Sequence, residues 1–144
     1  MTTSKQETPA NTYDLCATDR DAEENGQWVE VRPGLQYCIR SSASKKVREF
    51  DHQLMKKQRG LYTANQGILP LETLDRNEVM RVARVILTGW RGQTDKEGNI
   101  LPFNVENAER VMTDLPRLRT DIVFASQSEE TFRIETAKAI EGNS

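Results

Sequence analysis

VARVILTGWRGQTDKEGNILPFNVENAERVMTDLPRL, residues 82–118, carries the signals that decide the fold. Val79, Val82, Ala83 and Ile86 recur at helical spacing, and Trp90 extends the same stripe. This predicts an amphipathic helix that buries one face and stops at Gly89. Asp95, Lys96, Glu97, Gly98 and Asn99 place turn-formers between Trp90 and Ile100, so a short hairpin or tight loop follows, ended by Pro102. Asn104 is positioned to cap the next helix by accepting from the backbone N–H of Glu106 or Asn107. Phe103 before it is placed to pack on Ala108 as a hydrophobic staple.

Working towards the N-terminus, Asp75 or Thr73 is the expected cap of that first helix, and 61–71, with Gly67 and Pro70, reads as a loop of ordinary length. Ser42 or Ser44 caps a helix bearing Val47, Phe50, Leu54 and Met55 on one face and ending at Gly60. Its other face carries Lys45, Lys46, Arg48, Lys56, Lys57 and Arg59 against Glu49 and Asp51, and a charge run of this kind is first of all a solvated face. Residues 28–32 and 35–40 flank Pro33 and Gly34 and predict a β-hairpin, with Trp28 expected to anchor it on a helix. Towards the C-terminus, Leu118, Ile122 and Ala125 mark a helix with Pro116 in its first turn. Ser126 followed by Glu129 fits a capping box for a last helix bearing Phe132, Thr136, Ala139 and Ile140 and closed by Gly142. The predicted fold class is α+β, mostly helical, with four to five helices and one or two small β-hairpins.

A chain of 144 residues is about one domain. A mean hydropathy of -0.70 is on the polar side, and the polar share falls at the N-terminus. Residues 1–26 hold Glu7, Asp14, Asp19, Asp21, Glu23 and Glu24 against Lys5 and Arg20, which predicts an acidic, solvated arm before a globular domain over 27–144. DRDAEENG within it lacks the ligand spacing of an EF-hand loop. The net charge of -2 argues against a protein whose main business is the phosphate backbone. No apolar run approaches a membrane span or a signal sequence, so the expectation is a cytosolic protein with no membrane partner. Cys16 and Cys38 have no CxxC spacing and no matching histidines, which predicts two reduced thiols rather than a disulfide or a metal site.

The chemistry of catalysis is missing from the pattern. The single histidine, His52, stands among charged neighbours in the basic helix, where a general base would need a pocket and an orienting partner. No Ser-His-Asp order, metal triplet, GxxxxGK or GxGxxG occurs. The adjacent carboxylates, Asp19 with Asp21 and Glu129 with Glu130, read as turns or helix N-termini. The expectation is a non-enzymatic protein without cofactors.

GWRG at 89–92, the acidic Gly-containing turn, LPFNVENAERVMTDLP at 101–116 and RLRTDIVFAS at 117–126 together resemble the tail assembly chaperones of flexible-tailed bacteriophages. The resemblance runs from about residue 28 to 143 and is distinctive over 90–118. It implies a chaperone that coats the helical tape measure protein, helps recruit the major tail protein, works in the host cytoplasm and is absent from the mature virion. Self-association is compatible with such a role. The partner-facing residues it suggests are Trp90, Arg91 and Phe103, in the matching GWRG and LPFN motifs. The basic residues Lys45, Lys46, Lys56, Lys57 and Arg59 join them on the reading of the charged helix alone. Family members are commonly made in two lengths by ribosomal slippage, and Glu141, Gly142 and Asn143 can be encoded as GAG GGA AAC, which holds a slip heptamer. Two other functions compete: a small regulator binding nucleic acid through helix 44–59, and a structural tail or connector subunit.

Overall fold

The hairpin around Pro33 and Gly34 seeds the sheet. The computed structural model describes residues 11–134, with β1 at Gln27–Arg32, β2 at Leu35–Ile39 and β3 at Leu87–Arg91 in one antiparallel sheet of order β1-β2-β3. Val29, Tyr37 and Trp90 form one cross-strand row, and Val29, Val31, Tyr37 and Ile39 point into the core, where Tyr37 and Ile39 are fully buried. Burial pushes the Tyr37 hydroxyl well above the ordinary phenol range, outweighing the opposite pull of Arg32. The protonated group donates to Gln93 Oε1.

Among the described residues eight α-helices surround this sheet: α1 Thr12–Leu15, α2 Arg20–Asn25, α3 Lys45–Lys57, α4 Arg59–Ala64, α5 Leu71–Arg81, α6 Val105–Asp114, α7 Pro116–Gln127 and α8 Glu129–Phe132. They overturn the expected four to five helices. Four of them, α1, α2, α4 and α8, have six residues or fewer, too short to show a helical period. Of the short hairpin or tight loop expected after Trp90, the tight loop forms. The segment after Trp90 makes only an isolated bridge from Thr94 to Ile100 around a turn in which Asp95 Oδ1 accepts from the N–H of Glu97 and Asn99, both at 2.9 Å.

The largest departure lies at the end of α5. A helix running to Gly89 was expected, but Val82–Ile86 winds as a π-helical segment and the chain enters β3 at Leu87. Trp90 therefore belongs to a strand row, not to a helical stripe. The strand wins because β2 offers Gln36, Tyr37, Cys38 and Ile39 as ladder partners, a long-range gain invisible to local periodicity. Arg40 completes the switch: its N–H donates to Ile86 O at 2.8 Å and its Nη1 to Val85 O at 2.9 Å. Val82, Ile86 and Leu87 then pack with Val111 and Met112 of α6 and Leu118 and Ile122 of α7 in one core.

Trp28 does not anchor the hairpin on a helix. It lies on the outer face of the sheet over Gly89, with the Arg91 guanidinium 3.8 Å from its ring centroid. Several expected caps move as well. Ser44, one of the two candidates, caps α3, whereas α5 starts after Pro70 with no side-chain cap from Thr73 or Asp75. Ser126 is buried inside α7 and donates to Val123 O at 2.6 Å, so Ser128 takes the position before α8. Asn104 does cap α6, accepting from Asn107 N–H at 2.7 Å.

From Thr18 the acidic N-terminal stretch is tied into the domain. Thr18 bridges to Arg133, Asp19 N–H donates to Phe132 O at 2.7 Å, and Ala22 is buried. The Glu24 carboxylate accepts from Lys45 N–H at 2.8 and 3.1 Å, a second cap on α3 from a distant residue. Glu24→Ala is expected to remove about 1 kcal/mol and lower Tm by about 3–5 °C in a thermal melt. Residues 1–10 of the expected arm, the last-helix positions Thr136, Ala139, Ile140 and Gly142, and the 141–143 slip site lie outside the described residues.

Candidate partner-binding groove

Helix α3 begins well anchored and ends largely in solvent. Ser44 and Glu24 fix its N-terminus, and Val47 is buried, but Phe50 and Leu54 are only partly covered and Met55 is 70% exposed. Gln58 breaks the helix, and α4 turns back from Arg59, so Gly60 sits inside a helix instead of ending one. The expected loop over 61–71 is thus half helix. The chain then turns through Gln66 and Gly67, at φ 59 and 81, conformations that hold it tight enough to return along α3.

Two polar clamps set the spacing of α3 and α5. Gln58 and Asn77 exchange a reciprocal amide pair at 2.8 and 2.7 Å. Arg81 grips both carboxylate oxygens of Asp51 at 2.8 and 3.2 Å. Beside them opens a groove of about 620 Å³ lined by Leu54, Met55, Arg59, Tyr62, Thr63 and Leu69 together with Asp51, Gln58 and Asn77. A second, smaller depression of about 300 Å³, lined by Phe50, Leu54 and Met80 among others, lies along the opposite flank of α3. The size and mostly apolar lining of the larger groove suit side chains of a partner.

Among the described residues, twelve large hydrophobics are exposed, and six of them, Met55, Leu61, Tyr62, Ile68, Leu71 and Leu74, fall within residues 55–74. Scattered exposed hydrophobics are ordinary; of these six, Met55 and Tyr62 line the groove, where exposed apolar side chains suit a partner. The sequence contained the clue: a supposed loop holding Leu61, Tyr62, Ile68, Leu69 and Leu71 is too apolar to be only a connection.

The residues suggested by motif are placed differently. Trp90 donates from Nε1 to Leu101 O at 2.8 Å and meets Tyr37 and Phe103 edge-on, with ring centroids 6.2 and 5.0 Å away. Both Trp90 and Phe103 pack against the core, and of the three only Arg91 is exposed, over Trp28. Lys45, Lys46, Lys56, Lys57 and Arg59 are all exposed, but they form two clusters roughly 16 Å apart along the helix axis. Of the second cluster, Arg59 lines the groove and Lys57 the smaller depression. His52 is exposed on α3, and among the described residues no group of three or more His, Cys, Asp or Glu side chains is placed to hold a metal ion. No helix among them is long and apolar enough to cross a membrane.

The family model of the YdaY prophage proteins matches residues 40–143. The chain belongs to this family. It is therefore a phage-derived protein, and the matched region takes in the groove, β3, α6 and α7. No curated protein and no solved structure matches the chain.

Proposed function

We propose that this YdaY-family protein is a non-enzymatic assembly chaperone, whose groove between α3, α4 and α5 receives an apolar face of a helical partner. The concentration of exposed apolar residues over 55–74 carries this reading, because a solvated surface of that kind is held ready for a helix-in-groove contact. Met55 suits such a surface, its flexible thioether adapting to different side chains. The resemblance in 90–118 supplies the partner: the phage tape measure protein, with the major tail protein recruited afterwards. On this reading the protein acts in the host cytoplasm and leaves before the virion is complete.

Co-expression with the tape measure protein of the same prophage tests it. Wild type should keep the tape measure soluble and co-purify with it. Met55→Asp combined with Tyr62→Ser should weaken capture by tenfold or more, about 1.4 kcal/mol, with an unchanged thermal melt, since Met55 and Tyr62 are 70% and 51% exposed. Unimpaired capture by the double variant would sink the groove as the binding site. A nucleic-acid regulator would instead lose binding steeply with salt, and a structural tail subunit would appear in mass spectra of purified particles.

A further inference from the structure

The residues lining the groove divide by chemistry. Leu54, Met55 and Leu69 supply apolar surface, while α4 contributes Arg59, Tyr62 and Thr63, which share one helix face by their i, i+3, i+4 spacing. All three side chains end in hydrogen-bond donors. Among the described residues none of the three has a side-chain hydrogen bond or an ion pair, whereas the other polar lining is already engaged. Gln58 and Asn77 bond each other. Both oxygens of Asp51, the one carboxylate lining the groove among the described residues, are held by Arg81. The single free charge that lines the groove is therefore positive, on Arg59.

From this we infer that the segment seated in the groove is an acidic amphipathic helix, its apolar stripe on Leu54, Met55 and Leu69 and an Asp or Glu beside that stripe paired with the Arg59 guanidinium. Arg59 presents a planar fork of donors that a carboxylate fills with two parallel bonds, and Tyr62 and Thr63 on the same face of α4 add neutral donors beside it. A neutral helix leaves the guanidinium without a partner at the contact, and a basic one sets charge against like charge. A nucleic-acid strand is the poorer fit, because its phosphates need several cations along one path, and Lys57 lines the depression on the opposite flank of α3. The selection rests on the groove serving as the proposed binding surface for a helix, and it adds the charge that distinguishes one helix from another.

Synthetic helical peptides of about 18 residues, roughly five turns, test the selection by fluorescence anisotropy against the full chain. They share one leucine stripe and carry glutamate, glutamine or lysine beside it. The glutamate peptide should bind about fivefold more tightly than the glutamine peptide, as for an exposed ion pair of good geometry, and the lysine peptide should bind most weakly. High salt should narrow these differences. Arg59→Gln should bind the glutamate and glutamine peptides alike, and Arg59→Glu should prefer lysine, with both variants melting like wild type because Arg59 is exposed. Wild type that binds the three peptides equally, or binds none, would overturn the selection, as would Arg59 variants that keep the wild-type order. A DNA duplex of similar length that binds more tightly than the glutamate peptide and is lost in Arg59→Glu would overturn it too. Equal binding of the peptides by a protein that still captures the tape measure would leave the proposed function standing, whereas a glutamate preference in a protein that captures none would remove that function and keep the selection.

Discussion

Gly92→Ala is expected to lower Tm by about 10 °C or more. Gly92 closes the GWRG motif at φ 83, where a side chain is strained, which alone accounts for about 1–2 kcal/mol. The added methyl would also stand 2.1 Å from the Gly34 carbonyl oxygen and 3.2 Å from its carbon. Neither atom belongs to a flexible side chain, so relief requires moving the β1–β2 turn away from the end of β3. Strain and displacement together amount to about 3–5 kcal/mol, a large part of the stability of a domain this size. Gly98→Ala supplies the control. Gly98 has φ 86 but nothing within 4 Å of the added methyl, so only the conformational part remains. Thermal melts that fall equally for the two variants would show that the approach to Gly34 carries no weight.

That close approach gives Gly92 of GWRG a packing role that the sequence alone does not suggest. Local signals are right where the determinants are local. Asn104 caps α6, the Asp95 turn forms with Gly98 at positive φ, and the Pro33 and Gly34 hairpin pairs Gln27 with Ile39 and Trp28 with Cys38. They mislead where a distant element decides. The stripe Val79, Val82, Ala83 and Ile86 is buried as its periodicity implies, but continuing it to Trp90 ignores a sheet edge some fifty residues earlier in the chain that captures Leu87–Arg91. Ser126 and Thr73 are acceptable caps in isolation, and packing places both inside helices instead.

The groove is less legible than the fold, because its walls come from α3, α4 and α5 and only their return path brings them together. The reciprocal pair of Gln58 and Asn77 and the grip of Arg81 on Asp51 join residues with no recognisable spacing. Charge misdirects the reading here too. Lys45 and Lys46 look like one row with Lys56, Lys57 and Arg59 when the helix is drawn alone, yet only Arg59 of the five lines the groove. Conversely, an aromatic residue in a distinctive motif invites assignment to an interface, while Trp90 and Phe103 are taken up in packing.

Trp90→Ala tests that assignment and should cost about 3–5 kcal/mol, as for other large aromatic truncations in cores. Removing the indole takes away two edge-on contacts, to Tyr37 at an interplanar angle of 85° and to Phe103 at 89°. It also leaves the Leu101 carbonyl without the indole N–H and opens a cavity over Tyr37, whose hydroxyl is held in the buried bond to Gln93. Trp90→Phe separates the contributions: a phenyl ring keeps much of the packing and loses the Nε1 hydrogen bond, so a smaller loss of about 1–2 kcal/mol follows. The groove is formed by other elements, and tape measure capture by Trp90→Phe should therefore persist below its melting temperature. Circular dichroism melts alongside the co-purification assay decide the matter. A Trp90→Ala protein that melts like wild type but no longer captures the tape measure would move Trp90 from the core to the interface, and with it the binding surface from α3–α5 to the end of β3.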